Sequence, residues 1–252
     1  MATILVPLPN SDFDPTEAAV PWQILTAHGH AIQFATPDGR SGQADERVLT
    51  GKGLGILATM FRANATAQQA YRELESSKEF GEPLRYEDIR TGDFDAVLLP
   101  GGHAPGMKPY LESAVLQSKV AEVFEQGKPV AAICHGVLVA ARSTARSGRS
   151  VLFGRRTTAL PKNMELTAWA LTRAWLGDYY RTYPTTVEDE VRGLLARPED
   201  FIRGPLSIRR DSAANLAAGF TVLDGHYLSA RWPGDAHRFG SEFAALLQAS
   251  ER

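Results

Sequence analysis

The sequence predicts an α/β protein with a doubly wound, mostly parallel sheet sandwiched by helices. Three observations carry that expectation. Short runs that are apolar throughout recur from the N-terminus onward, helical patterns fill the intervals between them, and Gly or Pro closes most of the runs. Strands apolar at every position are covered on both faces, and helical crossovers are what join parallel neighbours.

Taken in order, residues 3–8 (TILVPL) read as a buried strand. A helix over Pro15–Ala27 follows, with Asp14 placed to cap it and Pro15 in its first turn. Ala31–Thr36 is the second strand, broken by Pro37-Asp38-Gly39, and Ala96–Leu99 is the third, stopped by Pro100-Gly101-Gly102. A helix over about 113–126 and the stop signal Gly127-Lys128-Pro129 lead into a fourth strand at 129–133. Residues 222–223 and 227–230 form a hairpin around Asp224-Gly225, and an amphipathic helix over about 235–248 closes the fold. Two stretches exceed a minimal sandwich. Residues 40–84 are punctuated by glycine and helical near 63–75, and residues 160–211 are rich in Trp, Tyr and Arg with a helical pattern. Both read as inserted or capping segments of one domain spanning 1–252.

Composition narrows the function. With 44% hydrophobic and 22% charged residues, the chain falls outside the disordered and fibrous classes. Lys+Arg number 27 against 29 Asp+Glu, so the excess of positive charge that phosphate neutralisation demands is absent, and nucleic acid is not the expected partner. The single cysteine, Cys134, rules out a disulfide within the chain and fits a reducing compartment. No signal-like leader and no run near the ~18 apolar residues of a membrane helix is seen, so a cytoplasmic location with no membrane contact is expected. No metal is expected, since there is neither His-Glu-x-x-His nor a cysteine pair. Gly51 to Gly55 lacks the acidic partner of a dinucleotide loop, and residues 101–108 lack the Gly-Lys-Ser/Thr of a phosphate loop, so no cofactor is expected.

The chemistry concentrates where strands end. Val130 to Gly136 (VAAICHG) enters a helix through Cys134, His135 and Gly136, the layout of a nucleophile elbow. A free cysteine is ordinarily a small core hydrophobe. An ionisable pair at the carboxyl end of a core strand has little reason to be there as filler. Helix N–H groups and the helix dipole are expected to hold the sulfur as thiolate. His135 is the candidate base, and Gly136 accommodates the bend that lets adjacent residues cooperate. Gly101, Gly102 and His103 end the preceding strand, where backbone can approach a ligand; with Gly136 they are the oxyanion- or substrate-binding candidates. Glu17, in the first turn after the first strand, is placed to donate to the sulfur or shuttle a proton.

Together, Glu17, Pro100-Gly101-Gly102-His103 and Ala132-Ile133-Cys134-His135-Gly136 resemble the DJ-1/ThiJ/PfpI superfamily, which has the flavodoxin-like fold of class I glutamine amidotransferases. The long segment 160–211 makes the chain look most similar to the branch of heat-shock chaperones with glyoxalase III activity. That resemblance implies a third catalytic acid, here Glu165, orienting His135. It also implies a homodimer, and a cofactor-independent attack of Cys134 on a small carbonyl substrate, turning a 2-oxoaldehyde into a 2-hydroxy acid. Amidotransferase chemistry is disfavoured, because His237 and Glu242 do not form the late His-x-Glu. Two alternatives stand beside the carbonyl enzyme. One is a cysteine amidase or peptidase using Cys134, His135 and Glu165; the other is a holdase chaperone or redox sensor in which Cys134 is oxidised to a sulfinate.

Overall fold

The computed structural model describes residues 1–206 and 208–250. Its strands are β1 (Thr3–Pro7), β2 (Ser11–Phe13), β3 (Ala31–Thr36), β4 (Gln43–Ala44), β5 (Leu84–Arg85), β6 (Ala96–Leu99), β7 (Val130–Ile133), β8 (Thr221–Asp224) and β9 (Tyr227–Ala230). Seven of them form one sheet in the order β5-β3-β1-β6-β7-β9-β8, and β2 pairs with β4 apart from it. Every pairing in the large sheet is parallel except β8 against β9. β6 and β7 are buried at every residue. Successive side chains point to opposite faces, so the centre of the sheet is covered on both. This is the doubly wound architecture that the uniformly apolar strands predict. β2, β4 and β5 are two or three residues long, too short to show a period, and sequence patterning passes over them.

The helix Pro15–Ala27 starts where Asp14 Oδ1 accepts from the N–H groups of Thr16 (2.8 Å) and Glu17 (3.1 Å). It is flanked by the helices Ala65–Glu75 and Ala236–Ser250. Gly240 permits the second contact, since a Cβ there would lie 3.1 Å from the Cα of Pro21. The helix Ala114–Glu125 packs on Gly136–Arg142, and both lie against β6. Within residues 40–84, Ala65–Glu75 is the crossover between β3 and β5 and belongs to a helical layer, while the part before it reaches the strand ends. Among the described residues no helix is long and apolar enough to cross a membrane.

The chain leaves β1 for β3 on one side and returns to β6 on the other. Ligands of open α/β sheets bind at such a reversal, beyond the carboxyl ends of the strands. Three segments meet there: Asp14 to Glu17, Pro100 to His103, and Cys134 with His135.

Candidate active site

Cys134 ends β7 with φ of +56°, one of two non-glycine residues with positive φ among the described residues. Its N–H still bonds the sheet, to Ala230 O at 3.1 Å, while His135 at φ −67° already begins the helix Gly136–Arg142. A side chain held in that region costs on the order of 1–2 kcal/mol, so the surroundings must impose it. They do so by close packing. A Cβ on Gly136 would lie 2.2 Å from Leu99 O, and one on Gly101 would lie 2.6 Å from Glu17 Oε2 and 2.7 Å from Ile133 O. The elbow predicted from Cys-His-Gly is present, and the glycines around it let three strand ends touch.

Glu17 is fully buried beneath the sulfur. Its Oε2 accepts from Gly101 N–H at 2.9 Å. Its Oε1 has no partner nitrogen or oxygen, and Cys134 is the neighbour its proton can meet. Burial, reinforced by Asp14, holds the Glu17 carboxyl well above the usual range, which favours its protonated form. The Gly101 amide is therefore committed to Glu17, which corrects its assignment to an oxyanion.

Cys134 is 5% exposed. Burial pushes its thiol well up, and the Glu17 and Asp14 carboxyls push the same way, against the opposing His135 N–H. The expectation of a resting thiolate is corrected accordingly: the helix end is where the sequence puts it, but desolvation outweighs the dipole. Protonation of Glu17 relieves part of that opposition and leaves a donor facing the sulfur.

His135 Nδ1 lies 3.5 Å from Cys134 Sγ. Its Nε2 lies 3.1 Å from Thr182 Oγ1, and that hydroxyl donates to His103 O at 2.5 Å. A hydroxyl has one proton to give. With it spent on the carbonyl, Thr182 accepts from Nε2–H, and Nδ1 is left bare toward the thiol. Burial, helped by His103 and Arg142, pushes the imidazole down to about 3, so the ring is neutral. An imidazole this weak as a base does not take the proton of the resting thiol.

Glu165 does not orient His135, whose two ring nitrogens are taken by Cys134 and Thr182. Its Oε2 accepts from Val187 N–H at 2.9 Å and Oε1 stands 3.5 Å from Arg181 Nε. Burial raises this carboxyl to about 7. It joins the cap helices Lys162–Leu176 and Val187–Leu194 and reaches His135 only through the segment Arg181-Thr182.

The two insertions meet over the elbow. His103 stacks on Tyr180 at 4.2 Å and meets Tyr179 edge-on at 4.9 Å. Tyr180 packs on Phe61 at 5.1 Å, and the Tyr179 hydroxyl donates to Asp45. His103 thus touches the site, as a neutral ring pushed down to about 4 by burial. Thr182, Tyr180 and Asp14 are site residues that sequence reasoning missed; the run Tyr179-Tyr180-Arg181-Thr182-Tyr183 was the available sign.

Residues 8–205 match the family described as ThiJ/PfpI family-like. The chain belongs to the ThiJ/PfpI family. Deglycase PH1704 of Pyrococcus horikoshii is 40% identical over 167 residues, 66% of this chain and 69% of that protein. Deglycase PfpI of Pyrococcus furiosus is 25% identical over 94% of this chain and 95% of its own. An uncharacterised protein of Schizosaccharomyces pombe is 32% identical over 46% of this chain, which spans only 42% of that relative. Among solved structures, glyoxalase III from Candida albicans superposes with a TM-score of 0.65 at 18% identity, over 97% of this chain and 96% of that one. This last likeness is one of fold.

Proposed function

We propose that the chain is a cofactor-independent cysteine enzyme that converts small 2-oxoaldehydes into 2-hydroxy acids. The observation that carries the reading is the contact of the Cys134 thiol with a bare imidazole nitrogen on one side and a neutral carboxyl on the other. Cys134 Sγ bonds to the aldehyde carbon while its proton passes to His135 Nδ1, and Glu17 donates to the oxygen that becomes negative. The His135 backbone N–H that faces the sulfur is a further donor for that oxygen. The Glu17 carboxylate left by its donation takes the hydrogen of the former aldehyde carbon while His135 Nδ1–H donates to the neighbouring carbonyl oxygen. His135 then accepts the proton of the first hydroxyl as Glu17 returns its proton to the neighbouring carbon, which leaves a 2-hydroxy thioester. Water cleaves the resulting thioester, which releases the acid and returns the thiol.

The small exposure of Cys134 and the aromatic cover of Tyr179 and Tyr180 favour a small aldehyde over a peptide. Relatives named deglycases support carbonyl chemistry. Cys134→Ala should abolish lactate formation from methylglyoxal, measured by enzymatic lactate assay. Full turnover in that variant excludes the mechanism.

A further inference from the structure

One partly buried cationic side chain near the site has no part in the reaction above. Arg210 is drawn to the carboxyl ends of the strands, where its guanidinium lies 5.4 Å above the Trp232 ring. Trp232 follows the end of β9, whose Ala230 O holds the Cys134 amide at 3.1 Å. Arg210 Nη2 donates to Arg62 O at 3.4 Å, next to the Phe61 that packs on Tyr180. Arg210 is also electrostatically coupled to Asp14 and Glu17. Arg210 thus links Trp232, beyond the end of β9, to the segment next to the Phe61–Tyr180 contact, within electrostatic range of Asp14 and Glu17.

Three donors facing this neighbourhood are buried with no hydrogen-bond partner: Arg210 Nη1, Trp232 Nε1 and Tyr180 OH. Tyr180 is 6% exposed. Buried donors are ordinarily satisfied, and an orphan costs about 1–3 kcal/mol. The nearby acids offset the Arg210 charge only in part: burial holds Glu17 toward its protonated form, Asp14 is raised to about 6 and spends Oδ1 on two helix amides, and Asp211 spends Oδ1 on His237 and Oδ2 on the Arg238 N–H. A ligand that completes the set must offer oxygen acceptors and a negative charge.

We propose that Arg210 is the specificity-determining residue of this site and seats a substrate carboxylate, so that the preferred substrate is a 2-oxoaldehyde carrying a carboxylate at its far end. The inference rests on the carbonyl chemistry proposed above. Two acceptor oxygens fit the guanidinium edge, with Trp232 and Tyr180 as flanking donors, while the aldehyde reaches Cys134. Hydration of 4,5-dioxopentanoate by the same steps gives 2-hydroxyglutarate.

Binding and turnover test it separately. In Cys134→Ser, calorimetry should find levulinate, which has the carboxylate but no aldehyde, bound about 10- to 100-fold more tightly than 2-pentanone, with Arg210→Gln erasing the difference. In the otherwise native enzyme, Arg210→Gln should lower the ratio of kcat/KM for 4,5-dioxopentanoate to that for methylglyoxal by a similar factor, and Arg210→Lys should lower it less. An unchanged ratio, equal affinity for levulinate and 2-pentanone, or inorganic phosphate binding more tightly than levulinate each overturns the assignment. Selective levulinate binding without turnover of either aldehyde keeps the anion seat and removes the proposed reaction.

Discussion

Beneath Cys134 the site is backbone pressed on backbone, whereas above it side chains reach across from two insertions. In the floor, Gly136 and Gly101 bring the ends of β6 and β7 and the first turn of the helix Pro15–Ala27 within contact, and Glu17 is fixed by the amide that this packing supplies. In the cap, single hydrogen bonds do the holding: Thr182 to His103 O, Tyr179 to Asp45, and Trp175 Nε1 to Gly53 O at 3.0 Å. A floor of this kind leaves no room for substitution. A cap of this kind can change its side chains, and with them the substrate, while the bend below stays in place.

The largest effect should come from the floor. Gly136→Ala puts a Cβ 2.2 Å from Leu99 O, where carbonyl and helix cannot both stay. We expect a loss of more than about 3 kcal/mol in urea unfolding. A variant within about 0.5 kcal/mol of the native chain would show that the strand ends yield easily, and the contrast with the cap would fail.

Next is the electrostatic cost of that floor. Burial raises Asp14 from 3.8 to about 6, so the native state keeps a proton that the unfolded chain releases between those values. The stability Asp14 contributes is intact below about pH 4 and falls by about 3 kcal/mol as pH rises through 6. His135, pushed down to about 3, acts in the opposite sense across part of the window. The diagnostic quantity is therefore the difference between native chain and Asp14→Asn, in which asparagine still caps the helix. A difference that does not vary from pH 4 to 7 would remove the buried charge from the floor.

The smallest effect should come from the cap. Thr182→Val removes the hydroxyl that reads the His135 tautomer and should cost about tenfold in kcat/KM, with Thr182→Ser restoring it. The imidazole ¹⁵N shifts should move as Nδ1 gains the proton. Unchanged shifts in the valine variant would assign Thr182 to packing alone.

How much the sequence reveals follows the same division. The elbow is legible because Cys134, His135 and Gly136 are contiguous and their strand and helix each carry a local pattern. Glu17 is legible as a first-turn acid after a strand. The state of the sulfur is not, because burial and two converging carboxyls are properties of the packed chain, and they reverse the effect of the helix end. Thr182 lies 47 residues from the ring it orients, with no periodicity linking them. Glu165 shows the limit from the other side. The resemblance makes it the acid that orients His135, yet its side chain, in the first turn of the helix Lys162–Leu176, accepts from Val187 N–H instead.

The left-handed conformation of Cys134 also bears on any descendant that gives up catalysis. Once the thiol has no task, glycine or asparagine relaxes that residue at no loss, while leucine or valine aggravates it. Loss of the proposed activity would thus be written first at position 134, as a gain in folding stability.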